Sequence, residues 1–217
     1  MNYHPLQIAE ILSKKCTPVS EEQLACFEEI KPEGRRRFSI WLTRQLNKDL
    51  FRRHRVHARI VPLADRPLAV FRPDDELCDM ASLAWELHKR WEVRPKMVSV
   101  YTRGPKCFKI FSSNAHADIR NLGSLSHDLL LSELFFKFLR EAPARAAEWS
   151  PDWEREGDLR HGEKLPDVIL RSEGTAVEMC GAYSKERLLA LQMFVCKRLK
   201  LNLELHGPAP RDKGGAT

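Results

Sequence analysis

Apolar and polar positions recur along this chain with two periods, and the helical one dominates its first fifty residues. In "PLQIAEILSK", Leu6, Ile8, Ala9, Ile11 and Leu12 fall at near-helical spacing. In "TPVSEEQLACFEEI", Ser20 followed by Gln23 is a capping-box signature, and Leu24, Phe27 and Ile30 then face a core. The third segment, "EGRRRFSIWLTRQLNKDLFRRH", places Phe38, Trp41, Leu42, Leu46 and Leu50 in one apolar stripe. At about 100° per residue, Arg36, Thr43, Arg44 and Asn47 come to the opposite side. Two short apolar alternations follow, "RVHARIV" and "PLAVFR", about a turn containing Pro and Asp, and they predict a hairpin.

Further on, "DDELCDMASLAWELHKRW" predicts a helix over residues 75–91, with Leu77, Met80, Ala84, Leu87 and Trp91 on its apolar side. "KMVSVYTRGPKCFKIFSS" predicts a second hairpin about "RGPK". "GSLSHDLLLSELFFKFLREAP" is the clearest helix, capped by Ser124 or Ser126 and ended by Pro143. Residues 144–164 are charged and too long for a plain loop; a short strand near "GDLRH" fits there, with Trp149 and Trp153 as packing residues. "PDVILR" and "TAVEM" then read as strands about "SEGT", "YSKERLLALQMFVCKRL" as a helix capped by Ser184, and "LNLEL" as a closing strand. The pattern is that of an α+β protein.

Composition supports a folded chain: 43% of the 217 residues are hydrophobic, which excludes wholesale disorder. No apolar run approaches the roughly 20 residues needed to cross a bilayer, and no basic segment followed by an apolar run opens the sequence. The six cysteines form no CxxC pair, so neither a zinc ribbon nor a disulfide framework is expected. They read as reduced thiols of a cytoplasmic protein. The expected organisation is a DNA-binding module over residues 1–74, a connecting helix and hairpin over 75–122, a mixed α/β domain over 123–206 and a disordered tail over 207–217.

Charge changes the picture in one place. The net charge is +6, yet residues 31–60 alone hold ten basic and two acidic side chains, so the remainder is slightly acidic. Three helices followed by a hairpin is the winged helix-turn-helix arrangement, whose third helix lies in the major groove. The candidate DNA contacts are Arg35, Arg36, Arg37, Thr43, Arg44, Asn47, Lys48, Arg52, Arg53 and Arg55. Arg and Asn suit base edges, and Arg and Lys suit phosphates. The helix start near Gly34 and Arg35 also favours a phosphate. Double-stranded DNA is therefore the expected partner, and a membrane is not; a merely solvated helix face is the plainer reading of the same charges. His54 and His57 are spaced as a metal pair would be, without a third ligand near them in sequence.

A second stretch carries chemistry. "LPDVIL" and "AVEMCGAYSKERL" put Asp167 after a proline at the start of one strand and Glu178 near the end of the next. The α, β, β, α, β order around them resembles the core of the PD-(D/E)xK nuclease superfamily. That resemblance implies a Mg²⁺ ion held by Asp167 and Glu178 on adjacent strands. It implies Glu133 on the preceding helix as an extra acid, and a Lys two residues past the Glu to orient the attacking water. The Lys position is Cys180, a departure; Lys185, one helical turn on, is the residue that could reach back.

The basic module, "SHDLLLSELFFKFL" and the carboxylate hairpin together resemble the replication-relaxation family of plasmid and mobile-element proteins, winged helices fused to a restriction-endonuclease-like fold. The resemblance implies a DNA-binding regulatory or accessory protein of a mobile genetic element. Its degenerate, inactive pseudo-nuclease domain would be a platform for DNA or for a protein partner of a replication, transfer or transposition complex, without a cofactor. Two alternatives stand beside it. One is a Mg²⁺-dependent DNA endonuclease using Asp167, Glu178 and Lys185; the other is a protein-interaction scaffold that binds no DNA. Side by side without a cation, the two carboxylates would repel. An inactive site is therefore expected to be partly exposed or offset by a basic neighbour.

Overall fold

The computed structural model describes residues 4–15, 18–111, 119, 122–152 and 165–210. Its elements are α1 (Pro5–Lys14), β1 (Val19–Ser20), α2 (Glu21–Phe27), α3 (Arg35–Leu46), β2 (Phe51–Ala58), β3 (Ala69–Phe71), α4 (Ala81–Trp91), β4 (Lys96–Arg103), α5 (Pro105–Phe111), α6 (Leu125–Glu141), α7 (Pro143–Glu148), β5 (Ser150–Pro151), β6 (Val168–Leu170), β7 (Thr175–Met179), α8 (Lys185–Gln192) and β8 (Asn202–His206). The chain is mixed α+β and divides into two discontinuous units, Met1–Ala58 with Pro95–Ala147, and Arg59–Arg94 with Glu148–Thr217. Boundaries after residues 74 and 122 were expected; instead the chain leaves the first unit at Ala58 and re-enters it at Pro95. Among the described residues, no helix is long and apolar enough to cross a membrane.

In the first unit, α1 buries Ile8, Ala9, Ile11 and Leu12 and packs on α5, while Leu6 stays exposed. The capping box starts α2 as the sequence predicts. Ser20 Oγ accepts from the Gln23 amide at 3.1 Å, and Gln23 Oε1 accepts from the Ser20 amide at 2.9 Å. The same glutamine donates through Nε2 to Leu129 O at 2.7 Å, joining α2 to α6. A 3₁₀ turn, Pro32–Gly34, leads into α3, which buries Phe38, Leu42 and Gln45.

The sheet of this unit has the order β1-β4-β2, antiparallel throughout. Here two sequence expectations are corrected. β2 does not pair with the "PLAVFR" strand; it pairs along its whole length with β4, from Phe51 opposite Arg103 to Ala58 opposite Lys96. Nor does a hairpin form about "RGPK": β4 ends at Arg103 and α5 begins at Pro105. A proline at the first helical position costs nothing, because its missing N–H would have no intrahelical partner there. α6 belongs to this unit and not to the domain that follows it in sequence: Leu125 and Leu129 pack against Ala58 and Val100 of the sheet. Ser124 precedes α6 but makes no side-chain cap to its backbone.

The second unit is built on a five-stranded sheet of order β3-β8-β7-β6-β5. β6 and β7 form the expected hairpin, turning through Gly174 at φ +57°. α8 then crosses over so that β8 runs parallel to β7, and β3 pairs antiparallel on its far side. Ser184 caps α8 by accepting from the Arg187 amide. The helix continues as a π-helical stretch, Met193–Arg198. α4 is shorter than predicted because residues 75–80 precede its first turn. Leu87 of α4 and Leu188 and Leu191 of α8 share one apolar cluster with Ala176, Leu203 and Leu205 of the sheet. Residues 207–210, which the sequence assigns to a disordered tail, are in part held by the chain: Ala64 N–H donates to Gly207 O, and Ala209 N–H to Pro62 O; the rest of that tail lies outside the described residues. The candidate strand near "GDLRH" and Trp153 lie outside the described residues; Trp149 is buried.

Candidate nucleic-acid interface

The apolar stripe of α3 determines what its other side presents. With Phe38, Leu42 and Gln45 buried, Arg36, Arg37, Thr43, Arg44, Asn47 and Lys48 are exposed. Arg36, Thr43, Arg44 and Asn47 fall within about 100° of arc on the helix. Thr43 donates its hydroxyl to Ser39 O at 3.0 Å, leaving its methyl and lone pairs outward. Arg35 is different. Both of its terminal nitrogens bind Glu22, at 3.0 and 2.8 Å, in a two-pronged ion pair that fastens the start of α3 to α2. Its first task is structural.

β2 extends the basic surface. Side chains alternate across a strand, so Phe51, Arg53, Arg55 and His57 share one face, and Arg52, His54 and Val56 the other. Phe51 packs against Trp41 of α3, with ring centroids 6.5 Å apart. The sheet face that begins beneath α3 therefore continues outward as Arg53, Arg55 and His57, all exposed. Arg52 lies on the opposite face. His54 and His57 are on opposite faces as well, which removes them as a metal pair; His54 Nε2 is 3.1 Å from Thr102 Oγ1. At the inner end of the sheet, Tyr101 donates to Glu21 Oε2 at 3.1 Å, and burial pushes its phenol well above the ordinary range.

The carboxylates of the second unit are arranged differently from an ion cradle. Extending the β6–β7 register by one residue sets Asp167 opposite Glu178. The two are 4% and 1% exposed, so of the two arrangements expected of an inactive site, partial exposure or a basic neighbour, the first is not found. Each carboxylate serves the backbone of the other strand. The Asp167 amide donates to Glu178 Oε2 at 3.1 Å, and the Met179 amide donates to Asp167 Oδ2 at 2.8 Å. Tyr183 donates its hydroxyl to Glu178 Oε1 at 2.8 Å, and the Arg187 guanidinium stacks 3.9 Å over the Tyr183 ring. At least three of the four carboxylate oxygens thus accept hydrogen bonds from the protein.

The other members of the predicted catalytic set are committed elsewhere. Cys180 is fully buried in the apolar cluster under α4 and α8, and its carbonyl accepts from Trp91 Nε1 at 2.9 Å. Lys185 forms an ion pair with Asp79 at 2.9 Å, which holds the Asp79 carboxyl below its ordinary range. Glu133 is on α6 of the first unit, 4.0 Å from Arg140, so the three acids are not gathered within either unit. Among the described residues, no group of three His, Cys, Asp or Glu side chains could hold a metal ion. The residues described do not fit a Mg²⁺ site of the expected kind. Tyr183 is the member of this cluster that sequence reasoning missed; its only signal is a hydroxyl five residues past Glu178. Comparison with protein-family models, with curated proteins and with solved structures finds no match to this chain.

Proposed function

We propose that this chain is a DNA-binding regulatory or accessory protein. Its first unit acts as a winged helix, and its second is a nuclease-like fold that serves as a platform and not as an enzyme. The observation that carries the reading is the exposed basic face shared by α3 and the outer half of β2. The element order α1-β1-α2-α3-β2-β4 around a β1-β4-β2 sheet is the one a winged helix uses, with α3 in the position of the groove-reading helix. Arg36, Arg44 and Asn47 are residues that read base edges, and Lys48, Arg53 and Arg55 suit phosphates. Double-stranded DNA is the partner of this surface. The resemblance to the replication-relaxation family adds a mobile genetic element as the setting.

The β5-β6-β7-α8-β8 succession supports the nuclease-like reading of the second unit, and the use of Asp167 and Glu178 as backbone acceptors supports inactivity. An endonuclease would need Lys185 released from Asp79 and both carboxylates freed from backbone donors. The test is fluorescence anisotropy of labelled duplex DNA with the wild-type protein and with Arg36→Ala/Arg44→Ala/Asn47→Ala. All three positions are exposed, so the variant keeps its fold. Micromolar or tighter binding that the substitutions abolish is expected. Undiminished binding by the variant, or no binding by the wild type, removes the assignment and leaves the scaffold reading.

A further inference from the structure

One side chain on the exposed face of α3 breaks its polar pattern. Ile40 is 49% exposed, and it lies in the middle of the helix. At about 100° per residue it sits about 20° from Asn47 and about 40° from both Arg36 and Arg44. It is thus near the centre of the face, directly opposite the buried Phe38 and Leu42. A lone exposed isoleucine is unremarkable on a protein surface. One ringed by two guanidiniums and an amide, on a helix otherwise cleared of apolar groups on that side, is a different matter.

The surrounding charges decide the occupant. An apolar protein groove over Ile40 would desolvate Arg36 and Arg44 without partners, which is costly. A polyanion whose recognised surface also carries an apolar group avoids that cost. The major groove of DNA is such a surface: its base-edge acceptors and flanking phosphates meet the cations, and its one apolar group is the 5-methyl of thymine. We infer that Ile40 is a further specificity-determining residue of this face and contacts a thymine 5-methyl group in the major groove. The inference rests on the reading of α3 as the DNA-contacting helix. Ile40 lies about 6 Å along the axis from both Arg36 and Arg44. At about 3.4 Å per base step, the thymine falls within about two base pairs of the positions those arginines reach.

The experiment uses the full-length protein. Duplexes are selected from a random pool, and each thymine of the selected site is replaced in turn by uracil, which removes only the methyl. At one thymine, uracil should weaken wild-type binding about fourfold, the worth of one buried methyl group. Ile40→Ala should bind the thymine and uracil duplexes equally, and Ile40→Val should still discriminate. If no thymine is sensitive, or if Ile40→Ala discriminates as well as the wild type, the inference is overturned. The DNA-binding reading then survives, provided that Arg36→Ala/Arg44→Ala/Asn47→Ala still abolishes binding. A wild-type protein that selects no duplex overturns both.

Discussion

Gly104 is where a single side chain has the least room. It follows β4, and a Cβ there would lie 2.2 Å from the carbonyl oxygen of Asp49 and 2.7 Å from the carbonyl carbon of Leu50. Those atoms belong to the turn that carries α3 into β2. Asp49 holds that turn at φ +58°, and the Gly104 amide donates to Leu50 O at 2.8 Å. Neither backbone can yield without opening the end of the β2–β4 ladder, where Phe51 faces Arg103. Gly104→Ala should therefore destabilise the protein by at least about 1–3 kcal/mol. In a chain of this size that lowers the thermal midpoint by about 2–4 °C per kcal/mol, readable by circular dichroism. An unchanged midpoint would contradict this reading of the Gly104 position.

At the scale of elements, the β6–β7 hairpin is closed at its open end by side chains. Glu178 accepts from the Asp167 amide and from Tyr183, and Asp167 accepts from the Met179 amide. Removing one such acceptor strands a buried donor at a cost of about 1–3 kcal/mol. Glu178→Ala is expected to lower the urea midpoint accordingly, with Glu178→Gln closer to wild type because its amide oxygen still accepts. A pair of carboxylates kept only for catalysis would show the reverse: little loss of stability, or even a gain on removing a buried charge.

How legible these elements are from sequence follows from how local their causes are. Ser20 with Gln23, the α3 stripe and the Gly174 turn each depend on neighbours within a few residues, and each is found where its pattern points. The partner of β2 depends on residues 96–103, beyond a 36-residue excursion into the second unit, and local hairpin logic selects "PLAVFR" instead. In "PKCFKIF" the β-prone residues outweighed the one helix signal, Pro105 at the first helical position. Arg35 and Arg36 are indistinguishable in sequence, and only Glu22, thirteen residues earlier, separates the structural arginine from the exposed one. The burial of Glu178 is set by α4 and α8 packing over the sheet face on which it lies.

The two units of the whole molecule alternate along the chain, and the register shows what that asks of it. Ala58 pairs with Lys96, so the excursion leaves and re-enters at one point of the β2–β4 ladder. A two-residue Asn-Gly turn spans such a gap. A chain ending at residue 147, in which such a turn replaces residues 59–95, should fold with β2–β4 intact. It should also retain the DNA affinity of the full protein within a few-fold. Loss of the circular dichroism signal expected for the remaining helices would show that the first unit needs the second in order to fold.

If the α3 and β2 surface neutralises DNA phosphates, as proposed, the salt dependence of binding must report it. Affinity of the full-length protein for a duplex should fall linearly in log–log form as salt rises, with a slope of about −0.9 for each phosphate neutralised. In Arg53→Ala/Arg55→Ala the slope should become shallower by about two such contacts, roughly 1.8. A wild-type affinity that salt leaves unchanged, or a slope that the two substitutions do not alter, would contradict it.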